Sequence, residues 1–145
     1  MCLKITVGGH GASTTIEVLE YERTCTENEY DANWLKCRVT INATELNGSY
    51  CASFTTHDFV RFRDELRSCL AALKGLACFK TIEGALERQI EMTRTGGALI
   101  RTVAKVRGSV AITMSISYES DQSFLAETLN ELGAIVAEYP VKKCA

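Results

Sequence analysis

The chain has 145 residues, 46% hydrophobic and 23% charged, with a formal net charge of −2. A chain of that length buries roughly 70% of its unfolded surface, so one domain over residues 1–145 is expected, with no metal or disulfide needed to hold its core. The slight charge balance argues against a nucleic-acid binder or a membrane-surface protein, and no apolar run reaches the roughly 18 residues of a membrane span.

Leu3, Ile5 and Val7 alternate with Lys4 and Thr6, which predicts a first strand over Leu3 to Val7. Gly8-Gly9-His10-Gly11 breaks it, and Thr14 to Tyr21 reads as a second strand. Residues 22–33 carry no periodicity and read as a polar loop. A third strand is expected from Trp34 to Asn42, with Leu35, Cys37, Val39 and Ile41 on one face. Asn47-Gly48 signals a tight turn. In the fourth strand Tyr50, Ala52 and Phe54 alternate with Ser49, Cys51, Ser53 and Thr55.

The period then changes. Thr55 followed by Asp58 resembles a capping box, and Phe59, Phe62, Leu66, Cys69, Leu70 and Leu73 recur at helical spacing. Lys74-Gly75 supplies a cation and a left-handed C-cap. Short strands follow over Leu76 to Lys80, Leu86 to Thr93 and Ala98 to Val106; in the second, Leu86, Ile90 and Met92 share a face. Val110, Ile112, Met114, Ile116 and Tyr118 alternate in the cleanest strand of the sequence. A last helix starts near Ser120 or Asp121, runs through Phe124, Leu125, Leu129, Leu132 and Val136, and stops at Pro140.

The expected fold class is therefore α+β: about eight strands of mainly antiparallel sheet and two amphipathic helices, in the order ββββα-ββββα. Phe54-x-x-x-Asp58 with Leu66 is echoed 63 residues later by Ser117-x-x-x-Asp121 with Leu129, a topological echo rather than a sequence repeat.

The seven cysteines, at 2, 25, 37, 51, 69, 78 and 144, are odd in number and form no C-x-x-C pair. Unpaired thiols in strands and a helix behave as small hydrophobes and fit a reducing compartment. The start MCLKITVGGH is not a signal peptide, and a cytoplasmic location is expected.

Catalytic chemistry finds little support. His57 falls in the first turn of a helix, where the dipole disfavours its charged form, and reads as a surface residue near a cap. The glycine-rich turn around His10 leads into a strand, so it matches neither phosphate-binding fingerprint. No element presents metal ligands at a familiar spacing, and no cofactor is expected. Arg61, Arg63 and Arg67 lie on the exposed side of the first helix but are interspersed with Asp58, Asp64 and Glu65, the pattern of a solvated face rather than a phosphate-binding one.

The acid-rich stretch is more distinctive. Glu17, Glu20, Glu22, Glu27, Glu29 and Asp31 face a single base, Arg23. Such a run is either a solvated loop or a surface that steers a basic partner.

Asp31-Ala32-Asn33-Trp34-Leu35 ahead of a Val/Ile strand, and Asp58-Phe59 opening a helix that reaches Leu66, resemble the WapI-type bacterial immunity proteins. So do the Glu83/Glu87 region before a Gly-turn hairpin, and the last helix from Asp121-Gln122-Ser123-Phe124-Leu125 to Glu138-Tyr139-Pro140. The resemblance spans about residues 14–140. It implies a cytosolic, non-catalytic protein that binds the C-terminal domain of a secreted or contact-delivered toxin, often a nuclease, and blocks it by occlusion. Seven cysteines and the mild net charge depart from what that role would suggest.

Under that resemblance Glu27, Glu29 and Asp31 become candidate contacts for a cationic toxin domain, with Tyr30 and Trp34 as aromatic anchors. Trp34 is also open to a core role under the 22–33 loop, which the rarity of exposed lone tryptophans favours. Two alternatives stand beside the toxin inhibitor. One is a ligand- or partner-binding regulatory module with a pocket between sheet and helices, and the other is an unrecognised hydrolase. The sequence leaves the oligomeric state open.

Overall fold

Alternation with period two runs through most of the chain, and in the computed structural model it becomes eight strands. Residues 3–22, 32–81, 83–93 and 95–142 are described. Strands β1 (Leu3–Gly8), β2 (Ala12–Tyr21), β3 (Trp34–Ala43) and β4 (Asn47–Thr55) form one antiparallel sheet in sequence order, followed by helix α1 (Thr56–Ala72). Strands β5 (Leu76–Lys80), β6 (Leu86–Met92), β7 (Gly97–Arg107) and β8 (Ala111–Asp121) form the second sheet, followed by α2 (Gln122–Glu138). The architecture is the expected ββββα-ββββα.

The alternation decides what is buried. Ile5, Val7, Ile16, Val18, Leu35, Val39 and Ile41 from the first sheet join Ala77, Phe79, Leu86, Ile90 and Ile100 from the second in one continuous apolar cluster. At its centre Phe79 of β5 meets Phe54, Phe59 and Phe62, with ring centroids 5.2, 5.4 and 5.6 Å away. Strand β4, helix α1 and the second sheet are thereby joined.

Each helix starts on a satisfied cap. The Thr55 hydroxyl accepts from Asp58 N (3.3 Å) while the Asp58 carboxylate accepts from Thr55 N (2.9 Å), completing the capping box. Asp121 accepts from Ser123 N and Phe124 N at the start of α2.

The inward faces of the helices repeat. Phe59, Phe62, Leu66 and Cys69 are buried on α1; Leu125, Thr128, Leu132 and Ile135 are buried on α2, each 66 residues further on. The N-caps Thr55 and Asp121 share that offset. The echo at 63 residues is thus out of register by three: Asp58 is the third helical residue, whereas Asp121 is a cap, and Leu66 corresponds to Leu132 rather than Leu129.

The helices are exchanged between the halves. Glu131 of α2 accepts from the backbone N–H of Thr6 on β1 (3.0 Å), and the Thr128 hydroxyl donates to Thr6 O (2.6 Å). Glu65 of α1 accepts from Cys78 N on β5 (2.8 Å). Glu65 and Glu131 again stand 66 residues apart, and each closes the outer edge of the other half's sheet. Replacing Glu131 with Ala leaves the Thr6 N–H without this acceptor, and a loss of about 1–3 kcal/mol in urea unfolding is expected. Glu131→Gln, which keeps a carbonyl acceptor, should recover most of it.

Several details differ from the sequence expectation. Asn47 and Gly48 are the first residues of β4, paired with Asn42 and Ile41; the turn lies between Ala43 and Leu46, where Ala43 N donates to Leu46 O. Two-residue loop chemistry yields here to a register in which every inward apolar residue of β3 keeps its face. The left-handed cap of α1 is Leu73 itself (φ 54°), whose N–H donates to Cys69 O, and Gly75 (φ 105°) turns the chain two residues later. Cys51 does not behave as a small buried hydrophobe, because it lies on the exposed face of β4.

Strand β8 is the largest surprise. Its alternating residues do not form a sealed core face: Ile112 is 48% exposed, Val110 ahead of it 62%, and Met114 and Ile116 are only partly covered. Burial begins at Tyr118, where the first sheet reaches the strand.

Candidate functional site

The sequence assigned five residues to a contact surface. Glu27, Glu29, Tyr30 and Asp31 lie outside the described residues. Trp34 opens β3, opposite Thr55 of β4, and its carbonyl accepts from Glu22 N at 2.9 Å. Its side chain is half-buried, projecting from the face opposite Leu35, so it is neither enclosed in the core nor fully free. Beside it Asn33 is buried and exchanges two hydrogen bonds with the backbone of Lys142, pinning the start of β3 to the segment after α2. Glu22 is fixed by accepting from the Ser53 hydroxyl.

The other sequence candidates resolve into structural roles. Arg61 pairs with Asp58 (3.0 Å) and donates to Lys80 O, while Arg63 pairs with Asp64. His10 donates its backbone N–H to Glu119 O (2.8 Å) and sets its ring against the edge of Phe124. The glycines before it permit close approach: a Cβ on Gly9 would stand 2.3 Å from Glu119 O and 2.7 Å from the Tyr118 ring. Burial, and then the neighbouring Glu22, push the Cys37 thiol well above its ordinary range, which disfavours the nucleophilic thiolate. Among the described residues no three His, Cys, Asp or Glu gather as a metal site.

Two features went unanticipated. The first is a narrow apolar groove of about 120 Å³ where the β3–β4 and β7–β8 hairpins approach each other. Ile41 and Tyr50 form one wall, and Ala104, Val106, Ile112 and Met114 the other. Leu46, in the β3–β4 turn, is 58% exposed. The signal was present in the sequence: apolar residues continue along both hairpins to their tips, past the point where a core of this size could enclose them.

The second is Arg88, the largest fully buried side chain. It lies on the inward face of β6 with Leu86, Ile90 and Met92, a position that period two assigns to the core. Its guanidinium is 6.0 Å from the centre of the Phe62 ring, and its nitrogens meet no hydrogen-bond acceptor among the described residues. Directly across the ladder, the Thr102 hydroxyl is likewise unpartnered.

The first sheet shows how the corresponding position is satisfied. There Val7 faces Thr14, as Phe79 faces Arg88 in the second. Thr14 shares a 3.2 Å hydrogen bond with the hydroxyl of Tyr118, which itself donates to Val7 O. Tyr50, the counterpart of Tyr118 in strand register, donates instead to Ala85 O (2.8 Å). Burial lowers the Arg88 guanidinium to about 10, against the opposing pull of Tyr118 and Tyr50; burial raises Tyr50 to about 12.

The described surface therefore offers contact chemistry: a half-covered tryptophan and an apolar groove, with Arg61 and Arg63 paired to neighbouring acids. This is the make-up of a binding protein. The chain belongs to the immunity protein WapI-like family, whose sequence model matches residues 4–140, and it is accordingly a non-catalytic protein that neutralises a cognate toxin.

No curated protein is significantly similar to it. Eight chains of known structure match. One is the plant transcriptional regulator PBF-2, with a TM-score of 0.53 at 11% identity, covering 96% of this chain and 81% of that one. At that identity the likeness is one of fold alone.

Proposed function

We propose that the protein acts in the cytoplasm by occlusion, covering the working surface of the C-terminal domain of a secreted or contact-delivered toxin, a cationic nuclease domain. The family match across residues 4–140 carries this reading. Its electrostatic part is supported by the six acids between Glu17 and Asp31, which face one base and lead to the half-covered Trp34. Clustered charge of one sign accelerates encounter with an oppositely charged partner and matters less as salt rises. Glu27, Glu29, Tyr30, Asp31 and Trp34 are the proposed contacts of this segment.

Co-expression with the toxin domain encoded beside this gene tests the function: the chain should restore growth. Glu27→Lys/Glu29→Lys/Asp31→Lys should slow association about tenfold or more at low salt and flatten its salt dependence. Stopped-flow rates indistinguishable from wild type would remove the acids from the binding reaction.

A further inference from the structure

A sheet edge presents unpaired backbone N–H and C=O groups, which form a template for another strand, and proteins ordinarily blunt such edges. Here three elements do so. Glu131 and Thr128 close β1, Glu65 closes β5, and the His10 turn covers the C-terminal end of β8. Among the described residues, nothing bonds the outer side of β8 ahead of Glu119.

The direction of its backbone groups follows from the ladder. In an antiparallel strand the N–H and C=O of one residue point to the same side, and successive residues alternate. Glu119 O points away from β7, because it accepts from His10 N. Ser117, Ser115 and Thr113, at two-residue steps in an unbroken register, therefore also present their backbone groups outward. No residue from Ser109 to Tyr118 is charged, and none is glycine or proline. Ile112 and Met114 on the same strand form part of the apolar groove facing Tyr50 and Ile41. An open, uncharged edge beside a groove is the arrangement in which an extended segment gains affinity from main-chain bonds and selectivity from alternate side chains.

We propose that this edge is the seat of the toxin: an extended, uncharged segment of the toxin domain adds to the second sheet as a fifth strand. It pairs with Thr113, Ser115 and Ser117 and places one apolar side chain in the groove. The inference rests on the toxin-neutralising reading and assigns its surface. The His10 turn limits how far a second copy of this chain could pair with the edge. It already occupies the rung at Glu119, which a symmetric pairing of two β8 strands centred on Ser115 would need for Ala111 of the other copy. A single segment ending at the Ser117 rung meets no such obstacle. The acidic stretch governs the rate of encounter, and the β8 edge governs how long the complex lasts.

Ser115→Pro tests this directly, because it removes an outward N–H and leaves the bonds to β7 intact. With the inactivated toxin domain from the neighbouring gene as probe, the variant should keep its melting temperature and bind about tenfold or more weakly, mainly through faster dissociation. In the wild-type complex, hydrogen exchange should slow at the amides of Thr113, Ser115 and Ser117. This second readout does not depend on how the variant folds. Unchanged affinity in the variant, or no protection at those amides, overturns the assignment of the edge while leaving the function standing. A wild-type homodimer that Ser115→Pro dissociates, with toxin affinity intact, gives the edge to a second copy and also overturns it. Failure of the wild-type protein to bind the toxin domain overturns the reading beneath.

Discussion

Phe79→Ala should lower the melting temperature by roughly 10 °C or more and leave a protein partly unfolded at 37 °C. Phe79 is fully buried, on a strand of only five residues, and its ring is the one that touches Phe54, Phe59 and Phe62 together. Truncating such a ring removes its transfer free energy and opens a cavity that neighbours from two sheets and a helix cannot jointly collapse into. The combined loss is about 3–5 kcal/mol, a large share of the roughly 5–15 kcal/mol that holds a domain folded. Phe79→Leu retains most of the volume and should lose less than half as much. Thermal and urea unfolding of the two variants check the ordering, and equal losses would mean that aromatic packing is not what joins the sheets.

Arg88→Met should move stability the other way. Burial lowers the guanidinium from its ordinary value to about 10 in the fold. A base with a lowered folded value is protonated more readily in the unfolded chain. Its charge therefore opposes folding throughout the range below about pH 10, and that opposition is relieved as pH rises above it. The attraction of the Phe62 ring partly offsets this opposition. A linear apolar side chain of similar reach removes the opposing charge without opening a void, so a gain of about 1–4 kcal/mol is expected at pH 7. The advantage over wild type should shrink above pH 10. Arg88→Ala should show no such gain, because it empties the site. A Met variant less stable than wild type at pH 7 would mean that Arg88 has partners that offset its burial.

The sequence announced the strands and helices well because alternation and helical spacing each reflect a face that must be buried. Leu35, Cys37, Val39 and Ile41 define β3, and Thr55 with Asp58 fixes the start of α1, from local information alone. Where non-local packing decides, the reading slipped. Asn47-Gly48 carries turn chemistry, yet the pairing of Ile41 with Gly48 draws it into the ladder. The clean alternation of β8 reports which residues share a side, not whether anything covers that side. Arg88 was visible by parity, between Leu86 and Ile90, and its charge hid it. Of the proposed contact surface only Trp34 is described, and its half-covered state is a matter of tertiary packing, which strand pattern does not record.

The exchange of helices between the halves bears on how the molecule comes into being. Strand β1 is closed by a glutamate 125 residues later in the chain. Until α2 has been synthesised and has docked, β1 keeps an exposed margin that other nascent chains could pair with. Contacts so distant along the chain also make folding slow relative to stability. An inhibitor needed as soon as its toxin appears thus reaches its working form only once α2 has docked, and a cell would have to keep a standing pool of finished molecules rather than rely on new ones.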